Sequence, residues 1–156
     1  MQQHFRTLPM AAAIAAASFG SLAHADRPVN EMDAVIERGV SYGFTHFEEI
    51  ELKSRGRSEM EGFLGEDGWY AEVTFDDTGE PTHEERSRRI DGAWGMQPAD
   101  VRQALAAAAK AGLASVEEIQ INSSGYIDVE GHDAQRREIE MTLRLGSDKV
   151  IGTERD

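Results

Sequence analysis

The chain contains no cysteine among its 156 residues. Small exported domains often use disulfides to stabilise their cores. Because this chain can form none, its core has to be held together by packing alone. The same absence excludes thiol catalysis and any metal site built from cysteine ligands.

The sequence also lacks a coherent set of catalytic residues. Ser123 and Ser124 have no G-x-S-x-G context, and there is no glycine-rich loop to cradle a phosphate. The histidines at 46, 83 and 132 are scattered, and no two have the spacing of metal ligands on one element. We therefore expect no catalytic residue, no bound metal and no cofactor, in a protein that is not an enzyme.

Long apolar runs are missing beyond the N-terminus. There, His4 and Arg6 precede an alanine-rich stretch from Leu8 to Leu22, and Ala23-His24-Ala25 has the A-x-A form of a cleavage site. The pattern predicts a secretory signal peptide, residues 1–25, cleaved after Ala25; a membrane anchor is the alternative. With no cysteine for lipid attachment, this leader favours an exported protein of the bacterial periplasm and leaves secretion beyond it open.

Basic residues are few. Lysine and arginine total 16 against 29 acidic residues, which gives a net charge of −13. Loss of residues 1–25 removes Arg6 and no acid, so the mature chain would carry −14. Such a chain repels nucleic acid and anionic membranes, whereas basic peptides or metal cations complement it. An acidic surface that serves solubility alone is the alternative.

The sequence repeats itself after 69 residues. Residues 43–62 align with residues 112–131, and eight of the twenty positions are identical. Before each copy, apolar residues at helical spacing predict an amphipathic helix that ends at a glycine. After each helix, apolar and polar residues alternate as in strands, with turns between them. The fold predicted is α+β, with two repeats at 26–80 and 98–156 and a charged linker at 81–97. Each repeat is expected to be a helix packed on a three- to four-stranded antiparallel sheet.

Both copies share a strand with the pattern E-I-x-L, with isoleucine in place of the leucine in copy two, followed by a glycine turn and a strand that ends in E-G. The residues concerned are Gly43, Glu49, Ile50, Leu52, Gly56, Glu61, Gly62, Trp69, Tyr70 and Asp77-Thr78-Gly79-Glu80 in copy one, and Gly112, Glu118, Ile119, Ile121, Gly125, Glu130 and Gly131 in copy two. This combination resembles the PepSY domain, from which copy two departs at Arg137-Glu138 and in its last turn. The resemblance implies a small α+β fold of exported and envelope proteins and of peptidase propeptides. Its members are proposed to restrain peptidases or to bind in the cell envelope, without being enzymes.

Alternation along the strands predicts an open sheet face that is strongly acidic. If the apolar side chains face the helices, the intervening side chains face away from them. Such a face favours binding of a basic protein or peptide, with a peptidase or another envelope protein as the first partner to test, and with Phe63 and Tyr70 as apolar anchors. A solvated face without a partner is the alternative. The partner-binding residues predicted are Glu49, Glu51, Glu59, Glu61, Phe63, Tyr70, Glu72, Glu118, Asp128, Glu130, Glu138 and Glu140.

A different function stays open, that of a periplasmic sensor or buffer of divalent cations. It would use the acidic face and the turn from Asp76 to Glu80, since carboxylate oxygens suit such ions. The turn lacks the full pattern of a calcium loop, and D-x-T-G is typical of a structural hairpin turn.

Overall fold

The computed structural model describes residues 25–65 and 68–156, so the predicted signal peptide lies outside them except for Ala25. The described residues form one antiparallel sheet of nine strands with two helices packed on one of its faces. The helices are α1 (Met32–Tyr42) and α2 (Pro98–Lys110). The strands are β1 (Arg27–Pro28), β2 (Phe44–Leu52), β3 (Ser58–Leu64), β4 (Trp69–Phe75), β5 (Pro81–Arg88), β6 (Leu113–Ile121), β7 (Tyr126–Asp133), β8 (Glu138–Arg144) and β9 (Val150–Arg155).

The prediction of two repeats, each a helix on its own small sheet, is wrong. The strands follow the order β5-β4-β3-β2-β6-β7-β8-β9, and β1 adds to β6, so one sheet runs through both halves of the chain. The junction is the pairing of β2 with β6, in which Ile50 lies opposite Ile119 and both are fully buried. Separate sheets would have left two apolar edges with unpaired backbone groups, and joining them removes both edges.

Each helix begins and ends where its sequence favours it. The α1 helix stops at Gly43, whose φ of 127° suits glycine. The α2 helix starts with Pro98, and the Asp100 carboxylate accepts a hydrogen bond from the Gln97 backbone N–H at 2.9 Å. Neither helix in the described ranges is long and apolar enough to cross a membrane.

The core lies between the helices and one face of the sheet. The α1 helix comes so close to the strands at Gly39 that a Cβ there would lie 2.6 Å from the Phe47 ring and 2.8 Å from the Met60 sulfur. The buried residues of the helices are Met32, Val35, Ile36 and Gly39 in α1 and Val101, Ala104, Leu105, Ala107 and Ala108 in α2. They pack on the inner side chains of the central strands, whereas every residue of β5 is exposed.

Irregular strand pairing explains why a glycine follows the glutamate in the E-G sequence of each copy. The β2–β3 register shifts between Phe47 and Glu49, and the β6–β7 register shifts at the equivalent place. Opposite these bulges the backbone approaches two glycines, so that a Cβ on Gly62 would lie 2.1 Å from the His46 carbonyl oxygen and one on Gly131 1.9 Å from that of Ser115. Only glycine fits at either position.

Candidate functional site

The face of the sheet opposite the helices carries a row of acidic side chains that crosses six neighbouring strands. Because the strands are in register, β3, β2, β6, β7, β8 and β9 each place one glutamate beside the next. This long row consists of Glu59, Glu51, Glu118, Glu130, Glu140 and Glu154.

A second row runs parallel to the first from the opposite edge of the sheet. It begins on β5 and crosses β4, β3 and β2 before it reaches β6 and β7. This short row consists of Glu85, Glu72, Glu61 and Glu49, followed by Gln120 and Asp128. We call the two rows together the acidic face.

The structure places nine of the twelve predicted partner-binding residues on the acidic face. The nine are Glu49, Glu51, Glu59, Glu61, Glu72, Glu118, Asp128, Glu130 and Glu140. Glu138 lies beside the rows, opposite His132 and exposed. Phe63 and Tyr70 lie opposite each other on the same side of the sheet, but they are only 1% and 9% exposed.

Four residues of this side were missed by the sequence reasoning. Glu85 belongs to β5, which occupies most of the segment assigned to the linker, and Glu154 belongs to β9, near the end of the second predicted repeat. Every residue of β5 is exposed, and none after Pro81 is apolar, so its sequence has no alternation of apolar and polar residues that would predict a strand. The other two residues are Glu48, which the bulge turns to this side, and Lys53.

The electrostatic centre of the acidic face lies where β2 meets β6. Burial, followed by the neighbouring Glu118 and Glu61 carboxylates, raises the pKa of Glu49 to about 7. Burial, followed by Glu130 and Glu51, raises the pKa of Glu118 to about 7. Two central carboxylates therefore titrate near neutral pH.

One lysine partly offsets this charge. Lys53 pairs with Glu51, which is 8% exposed, and lies 3.8 Å from a carboxylate oxygen of Glu59. Nearby hydroxyl groups also hold carboxylates of the short row: the Tyr70 hydroxyl donates to Glu61 at 2.7 Å, and Thr142 donates to Asp128 at 2.7 Å. These contacts fix individual carboxylates and leave the rows strongly negative.

Residues 89–96, which we call the strap, cover one end of this side of the sheet. The Arg89 guanidinium lies 4.4 Å from the centre of the Tyr70 ring, and the Trp94 ring lies 6.4 Å from the Phe63 ring. The strap thereby hides the two predicted apolar anchors. A small cavity of about 70 Å³ remains, lined by Glu48, Phe63, Arg89, Asp91 and Trp94.

Among the described residues, one group of carboxylates lies close enough together to hold a metal ion. Glu59, Glu61 and Glu72 each offer an oxygen, and these oxygens lie within 4.8 Å of one another. The Asp76 turn is arranged differently, because one carboxylate oxygen of Asp76 accepts hydrogen bonds from the backbone of Thr78 and of Glu80. A hydrogen bond from the Thr78 hydroxyl, followed by the backbone bonds, lowers the pKa of Asp76. The turn uses this oxygen for its own structure.

The equivalent end of the other half of the sheet has different chemistry. His132 occupies the position that Phe63 has in the first half, and its Nδ1 lies 3.5 Å from carboxylate oxygens of Asp26 and Glu117. The chain's first described strand, β1, pairs with β6 beside it. The aromatic cluster beneath the strap therefore has no counterpart there.

Comparison with family models, with curated proteins and with solved structures gives no match for this chain. The resemblance to the PepSY domain thus stays a prediction that rests on the quoted residues. The same holds for the peptidase partner that the resemblance implies.

Proposed function

We propose that this is an exported binding protein without catalytic activity, and that its acidic face captures a basic segment of a protein or peptide. The observation that carries the proposal is the long row, in which six strands in succession present a glutamate on the side away from the core. Like charges directly opposite each other on neighbouring strands oppose folding. A cationic partner would relieve that repulsion on binding.

The dimensions of the long row suit an extended peptide. Neighbouring strands lie roughly 4.8 Å apart, so six of them span about 24 Å. An extended chain covers that distance with about seven residues. Arginine fits such a row better than lysine, because its guanidinium forms paired hydrogen bonds with carboxylates. A peptidase or another envelope protein that exposes such a segment is the partner we propose in particular, on the strength of the PepSY resemblance.

The test is calorimetric titration of the protein with an eight-residue peptide that alternates arginine and alanine. The site variant replaces Glu118, Glu130 and Glu140 with glutamine. The matched control replaces three exposed acids that lie off the acidic face, Glu31, Glu84 and Asp148, with their amides, so that both variants lose the same charge. We expect the site variant to bind at least tenfold more weakly than the control. Equal weakening in both variants would mean that net charge alone attracts the peptide, and the proposal would fail.

A second candidate function is the binding of a divalent cation, favoured by the convergence of Glu59, Glu61 and Glu72. Thermal unfolding distinguishes it from the first, because an ion that binds only the folded state raises the midpoint. The melting midpoint is measured in chelator, with millimolar calcium, magnesium, zinc or copper, and at matched ionic strength. A rise well beyond that given by monovalent salt, lost in Glu61→Gln, would support the cation site. A rise that depends only on ionic strength would leave binding of a basic segment as the function.

A further inference from the structure

We infer that the strap is displaceable and that it covers an anchor site, Phe63 and Tyr70, to which the partner also binds. In the closed state Arg89 and Trp94 of the strap occupy this site. On binding, an arginine and an aromatic side chain of the partner replace them. The inference rests on the proposed function and adds two things to it. It specifies the partner as a segment that carries both arginine and an aromatic residue, and it makes binding depend on release of residues 89–96.

The first ground is that the strap already makes the contacts such a partner would make. Arg89 stacks on Tyr70 at 4.4 Å beside the Glu48 carboxylate, and Trp94 packs on Phe63. Cation–π stacking and aromatic packing are the contacts that typically anchor a partner at an interface. The anchors are thus complementary to an arginine and an aromatic ring a few residues apart.

The second ground is that the anchors do not belong to the main core. Phe63 and Tyr70 lie on the side of the sheet away from α1 and α2, and their rings pack edge to face at 5.4 Å. Phe63 is 1% exposed with the strap in place. Release of the strap would expose a large apolar surface at the end of a negatively charged face, which is the usual composition of an interaction site.

The third ground is the way in which the strap is attached. At one end the Arg89 N–H donates to the Gly68 carbonyl oxygen at 2.8 Å, and at the other Met96 and Phe47 exchange two backbone hydrogen bonds of 2.7 and 2.8 Å. Between these ends, residues 90–95 make no backbone–backbone hydrogen bond to any other part of the described chain. The middle is held by packing, because Trp94 contacts Phe63 and the core, and Gly95 lies close to the Phe47 carbonyl oxygen.

The composition of the middle agrees with a segment that can lift. Ile90 is 96% exposed, and Gly92 has a φ of 76° in open surroundings, where an added Cβ would meet no atom within 4 Å. Such a glycine absorbs a change of backbone direction at little cost. With its ends fixed and its middle free of backbone hydrogen bonds, the strap can open without unfolding the sheet.

The test uses tryptophan emission as a direct report of the strap. The protein has two tryptophans, so Trp69→Phe leaves Trp94 as the only one. The probe is an eight-residue peptide that alternates arginine and phenylalanine and has no tryptophan. Binding is expected to shift the Trp94 emission to longer wavelength and to raise its quenching by acrylamide, since the ring leaves Phe63 for water.

Affinity provides a second and independent readout. A competing internal segment lowers the apparent affinity to the intrinsic affinity multiplied by the fraction of molecules in which that segment is open. Arg89→Ala is therefore expected to tighten binding of the same peptide about threefold to tenfold, the factor that corresponds to one cation–π contact. Lys110→Ala removes the same charge from the end of α2 and is the charge-matched control, and Ile90→Ala controls for change within the strap.

The outcomes separate the inference from the function on which it rests. If the peptide binds while Trp94 emission stays constant, or if Lys110→Ala tightens binding as much as Arg89→Ala, the strap is a fixed part of the fold and the inference is wrong, although the binding function stands. If no cationic peptide binds to any of these proteins, the proposed function fails and the inference fails with it.

Discussion

Glu51 lies directly opposite Glu118 across the junction of β2 and β6, where three residue pairs join the two strands. Beneath them, toward the helices, the buried pair of Ile50 and Ile119 holds the junction together. On the side of the sheet away from the helices, the like charges of Glu51 and Glu118, in partly buried positions, oppose the pairing of the two strands. The same three residue pairs thus combine a fully buried apolar contact between the halves with an unfavourable electrostatic contact.

Stability is expected to fall as the pH rises from about 4.5 to 7. Burial and neighbouring carboxylates raise the pKa of Glu49 and of Glu118 to about 7 in the folded protein, against the ordinary value of 4.5 when unfolded. Between these values the folded state binds more protons than the unfolded state, so the free energy of unfolding decreases with pH. After allowance for screening, the decrease is on the order of 1–2 kcal/mol for the pair.

The check is urea unfolding of the protein and of the variant Glu49→Gln with Glu118→Gln, at several pH values from 4.5 to 8. The variant is expected to be more stable than the parent above pH 7 and to lose most of the slope. Glu31→Gln, an exposed acid next to α1, is the control and should leave the slope unchanged. A slope that survives in the double variant would show that other groups cause it.

Gly131→Ala is expected to destabilise the protein by more than about 2 kcal/mol. The new Cβ would lie 1.9 Å from the Ser115 carbonyl oxygen, so the β6 bulge would have to move. Gly152→Ala is the matched control on β9, two strands away, because its Cβ would meet Thr142 at an ordinary 3.5 Å. Chemical unfolding of both variants measures the loss in the free energy of unfolding. Similar losses in the two would show that the close approach to Ser115 is not the reason why glycine is needed at position 131.

The sequence predicted both helices and most of the acidic face, because these depend on local periodicity. Spacing located α1 and α2, and alternation along strands turned residues such as Glu61 and Glu130 away from the core. The single continuous sheet was not predictable in this way. The junction of β2 with β6 pairs residues about 70 positions apart, and nothing in the local pattern of either strand specifies its neighbour on that side.

The covered state of Phe63 was missed for a related reason. A charged segment with two glycines reads as a solvated linker, and its path over the sheet depends on two side-chain contacts, of Arg89 with Tyr70 and of Trp94 with Phe63. Side chains of that kind occur in many exposed loops. Alternation therefore gave the correct side of the sheet for Phe63 and Tyr70, but not their burial.

Phe63→Ala is expected to cost about 3 kcal/mol of stability, although the residue lies on the side away from the helices. Its ring is 1% exposed and contacts both Tyr70 and Trp94, so truncation leaves a cavity beneath the strap. Ile90→Ala, in the strap and 96% exposed, should change stability by less than about 0.5 kcal/mol. Thermal and urea unfolding check both values. A small loss for Phe63→Ala would mean that the strap does not seal this site in solution.

Binding of an arginine-containing peptide is expected to depend on pH in the sense opposite to stability. A cation binds the ionised carboxylates, and Glu49 and Glu118 lose their charge as the pH falls below about 7. Arginine keeps its charge throughout, so the protein alone titrates. Affinity should rise roughly threefold to tenfold from pH 5.5 to 8, while the free energy of unfolding falls. The double variant Glu49→Gln with Glu118→Gln should bind with little dependence on pH. If its affinity rises as steeply as that of the parent, the carboxylates at the β2–β6 junction do not contact the peptide, and its position must be sought further along the long row.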